Sequence, residues 1–383
     1  MAKPRQSSRA ASAPDDASKL EALRKQIDEI DSGILRKLNE RSRIVLEVGA
    51  LKRSTGAPVY SSAREQEIID RLTAENCGPF PQEGLAPVFR EIVSATRSLE
   101  GPLPIAYLGP EGTFTHLAAT ERFGATANLT MAVSIREVFA QVEAGKARFG
   151  VVPVENTTEG VVTQALDTFA DSDLSISGEI VLRISLDLFS QGGRLEDVRR
   201  VASHPQPLAQ CRQWLDRHLP HATRLETAST VVAARLAAGD AGVAAIGSAI
   251  AGESYGLQTI ESAIEDRRDN TTRFLLIGRE ISDPTGNDLT SVLFTIRKDE
   301  AGGLYRLIEP MARRGVNLTA LHLRPITGKP WEYYFFIDLE GHRDDPEVAA
   351  ALSEAAVVAH SHRVLGSFPR ATGTRPPRGP GVG

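Results

Sequence analysis

An unbroken helical pattern from Ser18 to Lys52 constrains this chain more than any other stretch. Apolar residues recur at Leu20, Leu23, Ile27, Ile30, Ile34 and Leu38, in the steps of three and four that mark one buried helix face. The same steps run on through Arg41, Val45, Val48 and Lys52, so two cations stand on the stripe that should be core. Neither has a carboxylate one turn away: Arg41 has Lys37, Leu38, Ile44 and Val45 at those offsets, and Lys52 follows Val48 and Gly49. An unpaired buried charge costs several kcal/mol, against the roughly 5 to 15 kcal/mol that holds a domain together, so an anion from outside the helix is expected.

Arg41 and Lys52 differ by about 20° around a helix axis and about 16 Å along it, close enough for two long side chains to clasp one small anion. Arg24 lies near the same stripe but about 42 Å from Lys52, so it shares that anion only if another copy of the helix supplies it. Glu21 and Asp28 offer Arg24 local partners, and a purely structural role stands beside the binding role.

The chain has 383 residues, enough for two or three domains, with 41% hydrophobic and 24% charged residues as in ordinary globular proteins. A net charge of -5 gives no reason to expect a nucleic-acid partner. Cys77 and Cys211 are too few for a disulfide framework, no signal-peptide core or membrane-length apolar run appears, and a cytoplasmic location is expected. Eight histidines show no second ligand pair beside His218 with His221 or His360 with His362, so neither metal nor cofactor is expected. Residues 1–17 and 369–383, rich in Ala/Ser or Pro/Gly, are expected to be disordered tails.

Gly56 and Pro58 stop the long helix, Ser62 to Glu65 reads as a capping box opening a second helix, and a third is expected from about Leu85 to Glu100. Gly101 to Pro104 marks a boundary. Three helices of such unequal length bury little by themselves, and dimerisation through the long one would solve that. From Leu23 to Lys52 the pattern LRxxIDxID followed by LxxRxxxxxxVGxxK, with PVYSSAREQE from Pro58, resembles the all-helical chorismate mutase family. That resemblance implies a domain-swapped helical dimer over 18–101. It assigns the partner's Arg24 and Arg41 to substrate carboxylates, Lys52 to the ether oxygen, Arg64 with Glu65 to the ring-hydroxyl side, and Ser61 and Thr96 to the pocket; for Glu65 the capping role competes. Chorismate rearrangement is pericyclic, so preorganised cations beside the breaking ether bond can supply the catalysis without a nucleophile. Where the family often has glutamine this chain has Glu100. Only a protonated carboxyl there donates to the developing charge, so a mutase favouring acid pH is expected. Ser61, where an aspartate is sometimes found, is a smaller departure.

From Ile105 the chain alternates short apolar strands (IAYLG, FGVVPV, LSISGEIVL, RRVASH, AAIGS, TRFLLIG) with helices (THLAATERFG, SIREVFAQVEAG, STVVAARLAAG), an α/β pattern whose length suits two lobes around a ligand. Polar motifs collect at the strand ends: GPEGTFTH, VENTTEG, SHPQP and DNTTRF. The first could offer backbone N–H groups and the Thr113 hydroxyl to an anion, or be an ordinary tight turn. Together the four resemble prephenate dehydratase, over 104–281, and imply a fold of two lobes like a periplasmic binding protein. The resemblance implies Thr272 of the TRF motif as the catalytic residue. Thr113, Glu155, Asn156, Ser203, His204, Gln206, Arg273 and Phe274 would line the prephenate pocket.

The last region, 288–368, reads strand, helix, strand, strand, helix, strand, a ferredoxin-like α+β arrangement. It resembles the ACT domain. The resemblance implies phenylalanine binding at a dimer interface through Gly302, Gly303 and Leu304 and through His322, Leu323, Arg324 and Pro325. Those last four stand where the family has ESRP, so the acid and the serine are missing. The whole is expected to be a bifunctional enzyme of phenylalanine biosynthesis, turning chorismate into prephenate and then phenylpyruvate under feedback from phenylalanine, as a homodimer or higher oligomer without membrane contact. Two alternatives are a dehydratase with a degenerate, regulatory mutase domain, and a non-catalytic amino-acid-binding protein.

Overall fold

The computed structural model describes residues 14–55, 62–297 and 301–371; Ser61, Gly56, Pro58 and most of both expected tails lie outside them. The first helix, α1 (Pro14–Thr55), begins four residues before Ser18, within the stretch expected to be a tail. Then come α2 (Ser62–Glu75) and α3 (Gln82–Arg97), the last starting earlier and ending earlier than its apolar pattern suggested. The chain divides into two compact units, one of α1 with Thr96–Gly101 and one of Tyr60–Ala95 with everything from Pro102. The expected helical domain is thus shared between them.

Within the first unit the apolar stripe of α1 is uncovered: Leu23 and Ile27 are each 56% exposed and Ile34 53%. Gly49 is buried, and a Cβ on it would lie 3.1 Å from Glu100 Cγ, so the missing side chain lets 96–101 approach the helix closely.

The second unit carries three sheets. The first lobe is built from β1 (Pro104–Leu108), α4 (Phe114–Phe123), β2 (Asn128–Ala132), α5 (Ile135–Glu143), β3 (Phe149–Asn156), β4 (Gly160–Val161), α6 (Thr163–Asp171) and β5 (Ser175–Arg183). The second holds β6 (Asp187–Ser190), β7 (Arg200–Ser203), α7 (Pro205–Gln210), α8 (Arg212–His218), β8 (Thr223–Glu226), α9 (Thr230–Gly239), β9 (Val243–Gly247), α10 (Ala249–Ser254) and β10 (Gln258–Glu261). The chain then returns to the first lobe as β11 (Thr271–Gly278), which inserts antiparallel between β3 and β5 in the order β2-β1-β3-β11-β5. The second sheet runs β10-β6-β9-β7-β8. Two crossings between lobes, β5 to β6 and β10 to β11, leave a cleft flanked by the carboxyl ends of the parallel strands, where α/β folds place ligands.

The C-terminal module is β12 (Asp288–Thr295), α11 (Gly303–Arg313), β13 (Leu318–Pro325), β14 (Tyr333–Glu340), α12 (Pro346–Val358) and β15 (Ser361–Pro369), in sheet order β13-β14-β12-β15. That is the expected strand-helix-strand-strand-helix-strand order. Its sheet shares a core with the first lobe: Leu293, Phe336, Leu365 and Phe368 pack with Ile176, Leu275 and the α5 residues Val138 and Phe139. Gly366 permits the contact, since a Cβ there would meet the Ile176 carbonyl oxygen at 2.1 Å. On the other side of the lobe, α3 docks by Glu91, whose carboxylate accepts the Ala125 N–H at 3.1 Å, and by Ser94, 3.1 Å from the Thr126 hydroxyl. No helix of the described residues is long and apolar enough to cross a membrane.

Candidate functional sites

In the first unit the two stray cations find partners on 96–101. The Arg41 guanidinium donates to the Thr96 hydroxyl, and the Lys52 ammonium lies 3.5 Å from Glu100 Oε2, with only 10% of the Glu100 side chain exposed. Arg53 donates to the Glu100 carbonyl at 2.8 Å. Burial pulls the Arg41 pKa below the ordinary guanidinium range, with Glu100 opposing the shift. The anion expected from outside the helix is therefore partly supplied by the chain itself, as Glu100. Arg24 is exposed on the same helix. In the second unit Glu65 is buried at 4% exposure with its Oε1 3.8 Å from Arg122 of α4, while Arg64 is exposed and pairs with Glu67 at 2.6 Å. Glu65 thus has a charged partner inside the second unit.

In the cleft, Thr272, the second residue of β11, stands opposite Asn156, the last residue of β3. Asn156 Oδ1 accepts the backbone N–H groups of Thr158 at 2.8 Å and Glu159 at 3.1 Å, which fixes the amide orientation. Its NH2 therefore points the other way, donating to Thr272 Oγ1 at 2.8 Å and to Asn270 Oδ1 at 2.9 Å. With its oxygen already accepting, the Thr272 hydroxyl has its proton free to donate. The network continues from Asn270 Nδ2 to Gln210 Oε1 at 3.1 Å and from Gln210 Nε2 to Glu159 Oε1 at 3.3 Å, so it joins the two lobes. Burial raises the Glu159 carboxyl pKa, while hydrogen bonds from Gln206 and Gln210 and the nearby His204 oppose the rise.

Several expected pocket residues sit elsewhere. Strand alternation turns Arg273 and its ladder partner Glu155 to the face opposite Thr272, toward the C-terminal sheet. Phe274 is 1% exposed in the core beneath Thr272. Ser203 is fully buried, its hydroxyl donating to the Ile246 carbonyl at 2.7 Å. Thr113 caps α4, accepting the His116 N–H, and Gly112 N–H donates to His116 Nδ1 at 3.3 Å. The GPEGTFTH turn thus uses donors that were expected to face an anion. His204 and Gln206, at the start of α7, are in place beside Glu159. Asn270, Gln210 and Glu159 were not singled out beforehand; two of them lie inside the DNTTRF and VENTTEG motifs, whereas Gln210 belongs to no motif and reaches the site only through the packing of α7.

On the C-terminal sheet Gly302, with φ 75°, caps α11, and Gly303 begins it. Tyr334 of β14 pairs with Thr295 of β12 and with Arg324 of β13, so the end of β12 and the His322 to Pro325 segment flank one end of the same strand. Two strand spacings put them about 10 Å apart. Leu323 is 48% exposed, and Arg324 makes a bidentate pair with Asp167 of α6, both bonds 2.7 Å.

Comparison with known proteins agrees with this layout. The family model for chorismate mutase type II matches residues 23–101, that for prephenate dehydratase residues 105–282, and that for the ACT domain residues 290–357. A protein of Aquifex aeolicus named bifunctional chorismate mutase/prephenate dehydratase is 45% identical over 92% of this chain and 98% of its own length. One of Pseudomonas aeruginosa with the same name is 41% identical over 93% of this chain and 99% of its own. The crystal structure of prephenate dehydratase in complex with L-Phe from Arthrobacter aurescens superposes with a TM-score of 0.66 at 35% identity, covering 72% of this chain and 92% of that one. With relatives of this similarity matched over nearly their whole length, the chain belongs to the bifunctional chorismate mutase/prephenate dehydratase family.

Proposed function

We propose that chorismate is rearranged to prephenate on α1, that prephenate is dehydrated and decarboxylated to phenylpyruvate in the cleft, and that phenylalanine regulates the enzyme through the C-terminal sheet. The observation that carries the dehydratase reading is the Asn156 to Thr272 hydrogen bond of 2.8 Å, in an amide held by two backbone N–H groups. As carbon dioxide leaves prephenate, its bonding electrons enter the ring and the C–O bond to the ring hydroxyl breaks. A donor on the departing oxygen eases that cleavage, and aromatisation drives it. A threonine hydroxyl holds its proton tightly, so Thr272 acts as hydrogen-bond donor or relay rather than as a formal acid. With Arg273 on the other face, His204 and the N–H donors of Gln206 and Gln210 are left to meet the substrate's carboxylates.

For the mutase, Arg41 binds a carboxylate and Lys52 meets the ether oxygen, with Thr96 and Glu100 beside them; the partner's Arg24 completes the site, and Arg64 and Glu65 serve the ring-hydroxyl side. The uncovered stripe of α1 supports a homodimer, since burying six Leu/Ile side chains stabilises by on the order of 10 kcal/mol. Phenylalanine binds near Gly302, Gly303 and Leu304 and the His322 to Pro325 segment. The boundaries proposed for the three activities remain 18–101, 104–281 and 288–368. Cys77 and Cys211 are both unpaired, which fits a reducing cytoplasm.

The test supplies the purified chain with chorismate and follows prephenate and phenylpyruvate, then repeats the assay with phenylalanine and with tyrosine. Both products should form and phenylalanine should slow their formation. Prephenate accumulating without phenylpyruvate would remove the cleft assignment, and no prephenate at all would favour a degenerate, regulatory mutase domain.

A further inference from the structure

Arg273 follows Thr272 on β11, and the two side chains leave the strand on opposite faces. Thr272 precedes Phe274 on the face that packs with α4, while Leu275, on the Arg273 face, packs with the C-terminal sheet. Arg273 Nε donates to Glu179 Oε2 of β5 at 2.8 Å, and Nη1 donates to Asp338 Oδ2 of β14 at 2.5 Å. All three side chains are largely withdrawn from solvent, at 17%, 5% and 13% exposure. Burial disfavours the guanidinium's charge, but Asp338 and Glu179 outweigh it and raise the Arg273 pKa. The third nitrogen, Nη2, is buried with no hydrogen-bond partner among the described residues. The clasp is therefore strong but incompletely satisfied, and a small displacement of either carboxylate changes its geometry at once.

Asp338 is itself held by the effector-side module. Ser291 of β12 donates to its Oδ1, and Thr319 of β13 donates to its carbonyl at 3.3 Å. In the ladder Asp338 lies opposite Ser291 on one side and Ala320 on the other. One of these neighbouring strands leads to Gly302, Gly303 and Leu304, and the other ends in His322 to Pro325. A shift of either segment therefore reaches the residue next to Thr272 through one side chain.

We propose that Arg273 is a positioning residue: the Glu179–Arg273–Asp338 clasp fixes the start of β11, and a ligand on the C-terminal sheet changes dehydration by moving Asp338 rather than by touching the cleft. The inference rests on the reading of Thr272 as the cleft's donor and of phenylalanine as the effector. A carboxylate pair across a module boundary suits this role, because a buried ion pair contributes a defined geometry and tolerates little displacement.

The full-length protein with Asp338→Asn tests it, assayed well below its measured melting temperature with chorismate, with prephenate and with phenylalanine. The expected result is an unchanged mutase rate, a kcat for prephenate lower by about tenfold with KM within about twofold, and a half-inhibiting phenylalanine concentration higher by about tenfold. Ser291→Ala, which removes only the hydroxyl that steadies Asp338, should move kcat and inhibition the same way by less, and it serves if Asp338→Asn does not fold. Wild-type kcat and wild-type inhibition in both variants would overturn the proposal, as would a loss of kcat that merely follows a loss of folded protein. Thr272→Ala is assayed alongside: retained dehydration there sinks the reading of the cleft, whereas loss there with no change in the Asp338 and Ser291 variants sinks only the clasp. If phenylalanine does not inhibit the wild type, the kcat of the two variants decides alone.

Discussion

The long helix and the cleft both carry catalytic-type polar residues, but they differ in how much of a site one chain completes. On α1 the cations share a stripe with Leu23, Ile27 and Ile34, all more than half exposed, so among the described residues of the chain little covers them. In the cleft Asn156, Asn270 and Thr272 are 7%, 2% and 9% exposed, and each is hydrogen-bonded within the same chain. Burial with satisfied hydrogen bonds is what preorganises a site, and exposure of an apolar stripe is what calls for another subunit. On the reading proposed above, one chain completes the dehydratase centre, whereas the mutase centre would be completed by association.

The largest effect should come from breaking the self-contained side. Thr272→Ala should lower phenylpyruvate formation by about 10² to 10⁴-fold while chorismate still becomes prephenate, read by following both products. Near-normal dehydration in that variant would refute the assignment. On the other side, Arg41→Ala should cost the mutase about 10² to 10³-fold and leave the conversion of added prephenate untouched; equal losses in both assays would mean that the variant damages folding rather than a site.

Association itself is the next target. Ile34→Glu puts a charge into the exposed stripe and should yield a smaller species by light scattering, with mutase activity falling by about tenfold or more at low protein concentration and dehydratase activity kept. A variant that keeps both its size and its mutase rate would show that the stripe is not the interface. The smallest effect is expected at Glu100, 3.5 Å from the Lys52 ammonium. A carboxylate there repels charge growing on the ether oxygen whereas an amide donates to it, so Glu100→Gln should raise the mutase rate by roughly severalfold; an unchanged rate would take Glu100 out of the reaction.

The cleft was legible in the sequence where its residues formed motifs at strand ends, because a polar turn at the end of a buried strand is a local pattern. It was less legible in which motif residues face the ligand. Thr272 and Arg273 are neighbours in TRF, yet strand alternation sends one to the cleft and the other to Glu179 and Asp338. Similarly, VENTTEG contributes Asn156 and Glu159 to the network and turns Glu155 away, at an irregularity in the pairing of β3 with β11. Short elements such as β8, exposed along its whole length, and α7, six residues long, left no period to read. Gln210 lies on α7, and for that reason it was missed.

By itself the sequence determined the three-part order, the α1 stripe with its two misplaced cations, and the strand and helix order of the C-terminal module, since each follows from the spacing of apolar residues and turn signals along the chain. Tertiary structure decided which charges meet: Lys52 with Glu100, Glu65 with Arg122, Arg324 with Asp167 and Arg273 with two carboxylates from different strands. Each of these pairs joins residues more than 45 positions apart. Only the folded backbone brings such residues within 4 Å, and Coulomb and hydrogen-bond energies fall away too quickly with distance for the linear order to record them.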